Sequence, residues 1–281
     1  MNAIRFLHIP KTAGTSLSEC LRRIYRGKEF IFSGTPQNEA ERFNSLPVPT
    51  REEIVLVTGH APRLTGIDEI DSLPTITLLR HPVDRVKSFC QHVSEGKSPH
   101  LRDVFPPEKF SLNALLESGN GELSNFQAKN LLGQGTYKLP RGSEENLIEQ
   151  AVHVLTEQLA SFGIVERFDE SLIMFHHRLH WEKWPLYRKV NQSRRQTPLE
   201  FSNRQIEQIR RLNQIDLSLY YKGIEIFNKR FEELSRDLRR HLTRFRRRQQ
   251  VLALYFKTYT TFTRIRHRLS SRFAQTDYAN Y

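Results

Sequence analysis

Short apolar runs, each closed by a turn signal and followed by a helical pattern, constrain this chain more than any other feature. Residues 4–9 stop at Pro10, residues 54–60 (IVLVTGH) turn at Gly59, residues 75–82 (TITLLRHP) stop at Pro82, and residues 162–168 (FGIVERF) lead into Asp169. Each run has the length and β-branched content of a buried strand. The intervening segments have helical spacing: residues 15–26, then 83–93 with Val83, Val86, Phe89, Cys90 and Val93 on one side. A third helix is expected over 143–162, with Ser143 as cap and Glu144 and Glu145 in its positive first turn. Residues 94–142 are polar and rich in Gly and Pro, with short helical pieces at 112–117 and 125–132. Further helices are expected from Asp169, after Ser202 and from Asp216. Strands separated by helices lie parallel, so the expected fold class is α/β, a parallel sheet flanked by helices. Ligands of such sheets bind beyond the carboxyl ends of the strands. Lys11, His60 and Arg80 all fall there.

Composition narrows the class further. A chain of 281 residues with 38% apolar residues can bury a core, and its mean hydropathy of −0.57 indicates a heavily charged surface. The two cysteines, Cys20 and Cys90, lie inside expected helices, which argues against a disulfide framework, a cysteine-based metal site and an oxidising compartment. The first apolar run is too short for a signal peptide, and no stretch approaches the roughly 20 apolar residues of a spanning helix. A cytoplasmic protein is expected, with peripheral contact at the inner face of the membrane as an option raised by its charge. That charge, +12 overall, is uneven: from Arg236 onward 12 Lys and Arg stand against two Asp, while the first 235 residues are nearly neutral. The expected division is a catalytic body over 1–235 and a basic helical extension over 236–281.

The turn after the first strand, HIPKTAGTS, has the makings of a phosphate cradle. Lys11, Thr12, Ala13, Gly14, Thr15 and Ser16 can present successive backbone N–H groups to an anion at a helix start. An ATP-binding P-loop carries its lysine after the second glycine, whereas Lys11 precedes the only glycine here. Nucleotide hydrolases also hold Mg²⁺ with an aspartate on a neighbouring strand. In this chain TLLRHPVDRVKSF ends its strand in Arg80, which repels a metal and suits a second phosphate. Ser88, in the helix that follows, can return its hydroxyl to the same ligand. A nucleotide with phosphates at both its 5′ and 3′ ends satisfies both turns without a metal. The plainer alternatives are a solvent-facing Lys11 and an Arg80 paired with Asp84, four residues on.

These residues resemble the sulfotransferases that use 3′-phosphoadenosine 5′-phosphosulfate (PAPS), nearest to the heparan sulfate 2-O- and 6-O-sulfotransferase-like group. FLHIPKTAGTSL looks like that family's 5′-phosphosulfate loop and LLRHPVDRVKSF like its 3′-phosphate segment. VTGHAP, NFQAKNLLG and FGIVERFDESL look like further recurrent stretches, in the expected order. The resemblance spans residues 4–221 and implies a P-loop-like sulfotransferase fold, PAPS as co-substrate, PAP as product and no metal. It also implies a hydroxyl acceptor, in this group a carbohydrate. The Golgi members have an N-terminal membrane anchor, and its absence suggests a soluble, bacterial-type relative.

The chemistry follows the sites. Lys11 is placed to stabilise the bridging oxygen as the S–O bond breaks, and His60, ending a strand, is the expected general base. His8 reads as a packed residue, His81 as one that orients the Arg80 turn, and His92 as a residue lining the acceptor cleft. His176, His177 and His180 read as surface or interface groups. Asn191, Ser193 and Arg194 resemble a late loop that closes over the nucleotide. In the extension, Leu238, Leu242, Phe245, Leu252, Phe256 and Tyr259 form an apolar stripe with Gln249 in its missing place. Its basic faces suit an anionic membrane, a polyanion or a second helix, including that of another copy in a homo-oligomer. Two other classes remain: a P-loop-type kinase, marked by Mg²⁺-dependent ATP turnover, and a nucleic-acid-binding protein acting through the tail.

Overall fold

The computed structural model describes residues 3–133, 137–187, 198–234 and 238–254. Its strands are β1 (Ile4–Leu7), β2 (Lys28–Phe32), β3 (Ile54–Gly59), β4 (Thr75–Leu79) and β5 (Ser161–Ile164). They form one parallel sheet in the order β2-β3-β1-β4-β5. The first helices are α1 (Gly14–Ile24), α2 (Pro36–Asn44), α3 (Val48–Glu52), α4 (Asp68–Asp71) and α5 (Pro82–Ser94). After them come α6 (Leu112–Glu117), α7 (Phe126–Leu132), α8 (Glu144–His153), α9 (Phe168–Arg178), α10 (Asn203–Leu212) and α11 (Gln214–Glu233). A last described helix, α12, covers residues 238–254. The expected α/β class is the one observed.

The strand order puts the site where it is. From β1 the chain leaves to one side, through α1 to β2 and back to β3. It then crosses beyond β1 to β4 and continues to β5 on the other side. The loops after β1 and β4 therefore diverge, and a crevice opens between these neighbouring strands at their carboxyl ends. β1 and β4 are locked in register, Arg5 opposite Thr75 and Leu7 opposite Thr77, with the Thr77 hydroxyl donating to the Leu7 carbonyl at 2.8 Å.

Two elements depart from expectation. β2, KEFIF, is an edge strand that buries Phe30 and Phe32 and leaves Ile31 at the surface, so it lacks the continuous apolar run that marks the central strands. The helix expected over 143–162 begins as foreseen, with the Ser143 hydroxyl accepting from Asn146 N–H, but α8 ends at His153. One π-helical turn, Val154–Gln158, follows before Ala160 N–H bonds to the Thr75 carbonyl and β5 takes over the chain. Sheet pairing wins over helical periodicity there. β5 in turn stops at Ile164, where the Ser171 hydroxyl accepts from Ile164 N–H at 2.8 Å.

The main apolar core runs from Ile4 to Phe245 and includes Leu238, Leu242 and Phe245 of α12. The change of charge at residue 235 is thus a change of surface, and the core continues through it. A second cluster packs α5 on Ile209 of α10, and a third joins β2 and β3 to Phe43 and Ile70.

Candidate active site

After β1 the backbone twists twice into the left-handed region, at Lys11 (φ 70°) and Ala13 (φ 59°). Neither is glycine, so each costs about 1–2 kcal/mol, strain of the kind kept at ligand clamps. Thr12, fully buried between them, gives both its N–H and its hydroxyl to the Ile9 carbonyl, at 3.4 and 2.8 Å. That turn aims the chain into α1, whose first i→i−4 bond is Leu17 N–H to the Ala13 carbonyl. The N–H groups of Gly14, Thr15 and Ser16 precede that ladder. The cap residue of α1, Ala13, makes no side-chain bond and no acidic residue occupies the first turn, so the helix does not compensate its positive end with acidic residues of its own. Gly14 is required on its other side: a Cβ there would lie 1.8 Å from the His8 ring.

Across the crevice Arg80 follows β4. Its guanidinium Nη1 donates to the Lys11 carbonyl at 3.1 Å, and the alternative pairing with Asp84 does not form. Asp84 lies instead near His81, with 3.8 Å between Oδ2 and Nδ1. The Arg80–His81 turn is held from below, because Glu166 accepts from His81 N–H at 2.9 Å and from the Tyr220 hydroxyl at 3.0 Å. Ser88 lies partly exposed on α5, one helical turn before His92.

β3 delivers His60 to the other flank. Gly59, at φ 101°, makes the turn, where a Cβ would lie 2.2 Å from the Phe32 carbonyl oxygen. The loop beyond His60 is anchored beneath the sheet by buried Arg5, which donates to the carbonyls of Pro62 and Arg63 and pairs with Asp71 at 3.2 Å. His60 meets the His8 ring edge-on, with centroids 4.6 Å apart. Its residue surface is open, yet surrounding atoms desolvate the imidazole and Lys11 adds positive charge. Both lower its pKa below the ordinary histidine range, so it stands neutral near pH 7. Burial, His60 and Lys11 hold His8 down to about 3.

Lys11 feels burial first, then Arg80 and Lys97, and its pKa falls to about 8 despite the opposing Glu95 and Glu122. His92 falls to about 4 through burial, Lys11 and Lys97. The fold therefore gathers Lys11, Arg80, His60 and His92 into one basic crevice. Sequence reading missed Lys97 and Glu95, which pair with each other where the chain turns back at the end of α5. It also missed the role of Gln127, inside the quoted NFQAKNLLG, whose side chain pairs with the Arg80 backbone. Asn191, Ser193 and Arg194 lie outside the described residues, as do Phe256 and Tyr259 of the apolar stripe. His176 stacks on Trp184 and faces His241 of α12, so it packs within the chain's own fold.

Lys11 and Arg80 thus face one another at the switch point, with an arginine where a nucleotide hydrolase has its metal-binding carboxylate. The galactose-3-O-sulfotransferase family matches residues 60–264, most of the chain, and the protein belongs to that family. It is a sulfotransferase. The matched range begins at His60 and takes in Arg80, Ser88, His92 and Gln127, while the Lys11–Ser16 loop precedes it. No curated protein matches the chain. Among solved structures, mouse sulfotransferase SULT7A1 complexed with PAP is similar at 12% identity and a TM-score of 0.39, with 88% of each chain covered. Among the described residues no helix is long and apolar enough to cross a membrane.

Proposed function

We propose that this protein transfers the sulfuryl group of PAPS to a hydroxyl of a glycan, with Lys11 and His60 as the groups that touch the reacting atoms. The observation that carries this reading is the pair of anion-receiving turns on the two sides of the β1–β4 crevice, joined by the Arg80 bond to the Lys11 carbonyl. The uncapped start of α1 fits the 5′-phosphosulfate, and Arg80 with Ser88 fits the 3′-phosphate. When bound, PAPS supplies an activated sulfuryl group on a bridging oxygen. Lys11, protonated below about pH 8, lowers the energy of charge growing on that oxygen. Neutral His60 accepts the proton of the attacking hydroxyl and ends as imidazolium. His92, neutral beside Lys11, lines the acceptor side. The exposed arginines of α12 suit a polyanionic glycan or an anionic membrane surface. Its buried Leu238, Leu242 and Phe245 already serve the core, which favours charge contact over insertion for this part of the helix.

The test is calorimetry with PAP and AMP, without added Mg²⁺. AMP is expected to bind at least about tenfold more weakly, since hydrogen bonds to charged groups contribute about 1.5–3 kcal/mol. Equal affinities would remove Arg80 from the nucleotide site. His60→Ala should lower turnover about 10²-fold or more and leave PAP affinity nearly unchanged. Full activity in that variant would assign the base elsewhere.

A further inference from the structure

Arg80 stands one residue past the end of β4, where the sheet no longer supplies partners for its peptide groups. One side chain supplies both. Arg80 N–H donates to Gln127 Oε1 at 2.9 Å, and Gln127 Nε2 donates to the Arg80 carbonyl at 2.9 Å. A carboxamide offers donor and acceptor side by side in one plane, so Gln127 acts as a single residue of added strand.

Gln127 is itself fixed. It is fully buried at the start of α7, and its own N–H donates to Asp216 Oδ2 at 3.0 Å while Ala128 N–H donates to Oδ1 at 2.8 Å. Asp216 is also fully buried, and its N–H donates to Asn125 Oδ1 at 3.2 Å. Asn125 N–H in turn donates to Asn213 Oδ1 at 3.0 Å. The guanidinium of buried Arg85 adds opposite charge beside Asp216. The start of α7 is thereby bolted to the start of α11, and the Gln127 amide has no freedom to turn.

We propose that Gln127 is the positioning residue of the 3′-phosphate arm: by clamping the Arg80 peptide it sets the direction in which the guanidinium leaves β4, toward Lys11 and away from Asp84. This rests on the reading of Arg80 as a 3′-phosphate ligand. The clamp fixes the two peptide groups that flank the Arg80 Cα, and so the direction of the Cα–Cβ bond from which the guanidinium reaches the Lys11 carbonyl.

Gln127→Met keeps the side-chain volume and removes both bonds. Calorimetry would give the ratio of PAP to AMP affinity for wild type, Q127M, R80A and the double variant. Q127M should lower the ratio about fivefold or more while AMP affinity stays within about twofold, and in the R80A background Q127M should leave the ratio unchanged. A general loosening of the fold would weaken both nucleotides and would persist without Arg80. Q127M with the wild-type ratio, or an equal fall with and without Arg80, overturns the proposal. R80A that keeps the wild-type ratio instead overturns the reading of Arg80, and the proposal with it. Should Q127M fail to fold, Q127N carries the same cycle, since it keeps an amide drawn back by one methylene.

Discussion

Lys11 holds a left-handed backbone, accepts from Arg80 on its carbonyl and carries an ammonium whose pKa is pulled to about 8. His60, lowered mainly by burial, loses its proton below the ordinary histidine range. The two titrations bracket a window. As pH rises, kcat/KM should climb while His60 becomes a neutral base, and should fall near pH 8 as free-enzyme Lys11 loses its charge. Lys11→Arg, protonated at all working pH values, should remove the alkaline fall and keep the acid limb. A pH–rate profile of both proteins checks this, and an alkaline limb that survives in K11R would belong to another group. These residues were legible because each follows an apolar run by one to four positions. Gln127 was not, because 47 residues separate it from Arg80 and only folding brings its amide to that peptide. Asp216, 89 residues from Gln127, read only as a helix start.

Among the elements, α12 changes most between sequence and structure. Its stripe of Leu238, Leu242 and Phe245 was legible as an apolar face, but nothing in the spacing says what covers it. In the fold it packs on α9 and the segment after it: Phe245 stacks near Trp184, and Arg246 faces Asp169 at 3.6 Å. Gln249, at the polar place in the stripe, accepts from Tyr187 N–H at 3.2 Å and donates to its carbonyl at 2.5 Å. That exception to the apolar pattern is a backbone clamp. Phe245→Ala should therefore cost roughly 3–5 kcal/mol in denaturant unfolding, the range for a buried aromatic, whereas Val251→Ala, at an exposed position, should stay within about 0.5 kcal/mol. Equal small effects would mean that α12 contributes no core. β2 was missed for the opposite reason, as an edge strand buries one face only and its KEFIF carries two charges in five residues.

At the scale of the molecule, a nearly neutral body carries a strongly basic end. Arg239, Arg244 and Arg247 stand exposed on α12, while Arg246 pairs with Asp169 and Glu170 and Arg248 lies over Trp184. Arginine suits sulfate and carboxylate, so the full chain should bind dextran sulfate and not neutral dextran. That binding should weaken as salt shortens the screening length below about 8–10 Å. A chain ending at residue 254 retains every described residue of the main core and should keep its PAP affinity while losing part of the polyanion binding. Salt-independent binding would point to an apolar contact. The α/β class was legible from the order of runs and punctuation. The strand order was not, because it depends on the side of β1 to which each crossover returns.

That order bears on how the protein is made. β1 is the centre of the sheet and leaves the ribosome first, but its neighbours β3 and β4 are encoded up to residues 59 and 79, and β5 lies beyond residue 160. Phe245, the last core side chain among the described residues, emerges later still. At translation speeds of about 5–20 residues per second, the apolar faces of β1 wait on the order of 10–50 s for the core to close over them. Throughout that interval the nascent chain carries unpaired strand edges, so its yield in a cell depends on what shelters them before α12 arrives.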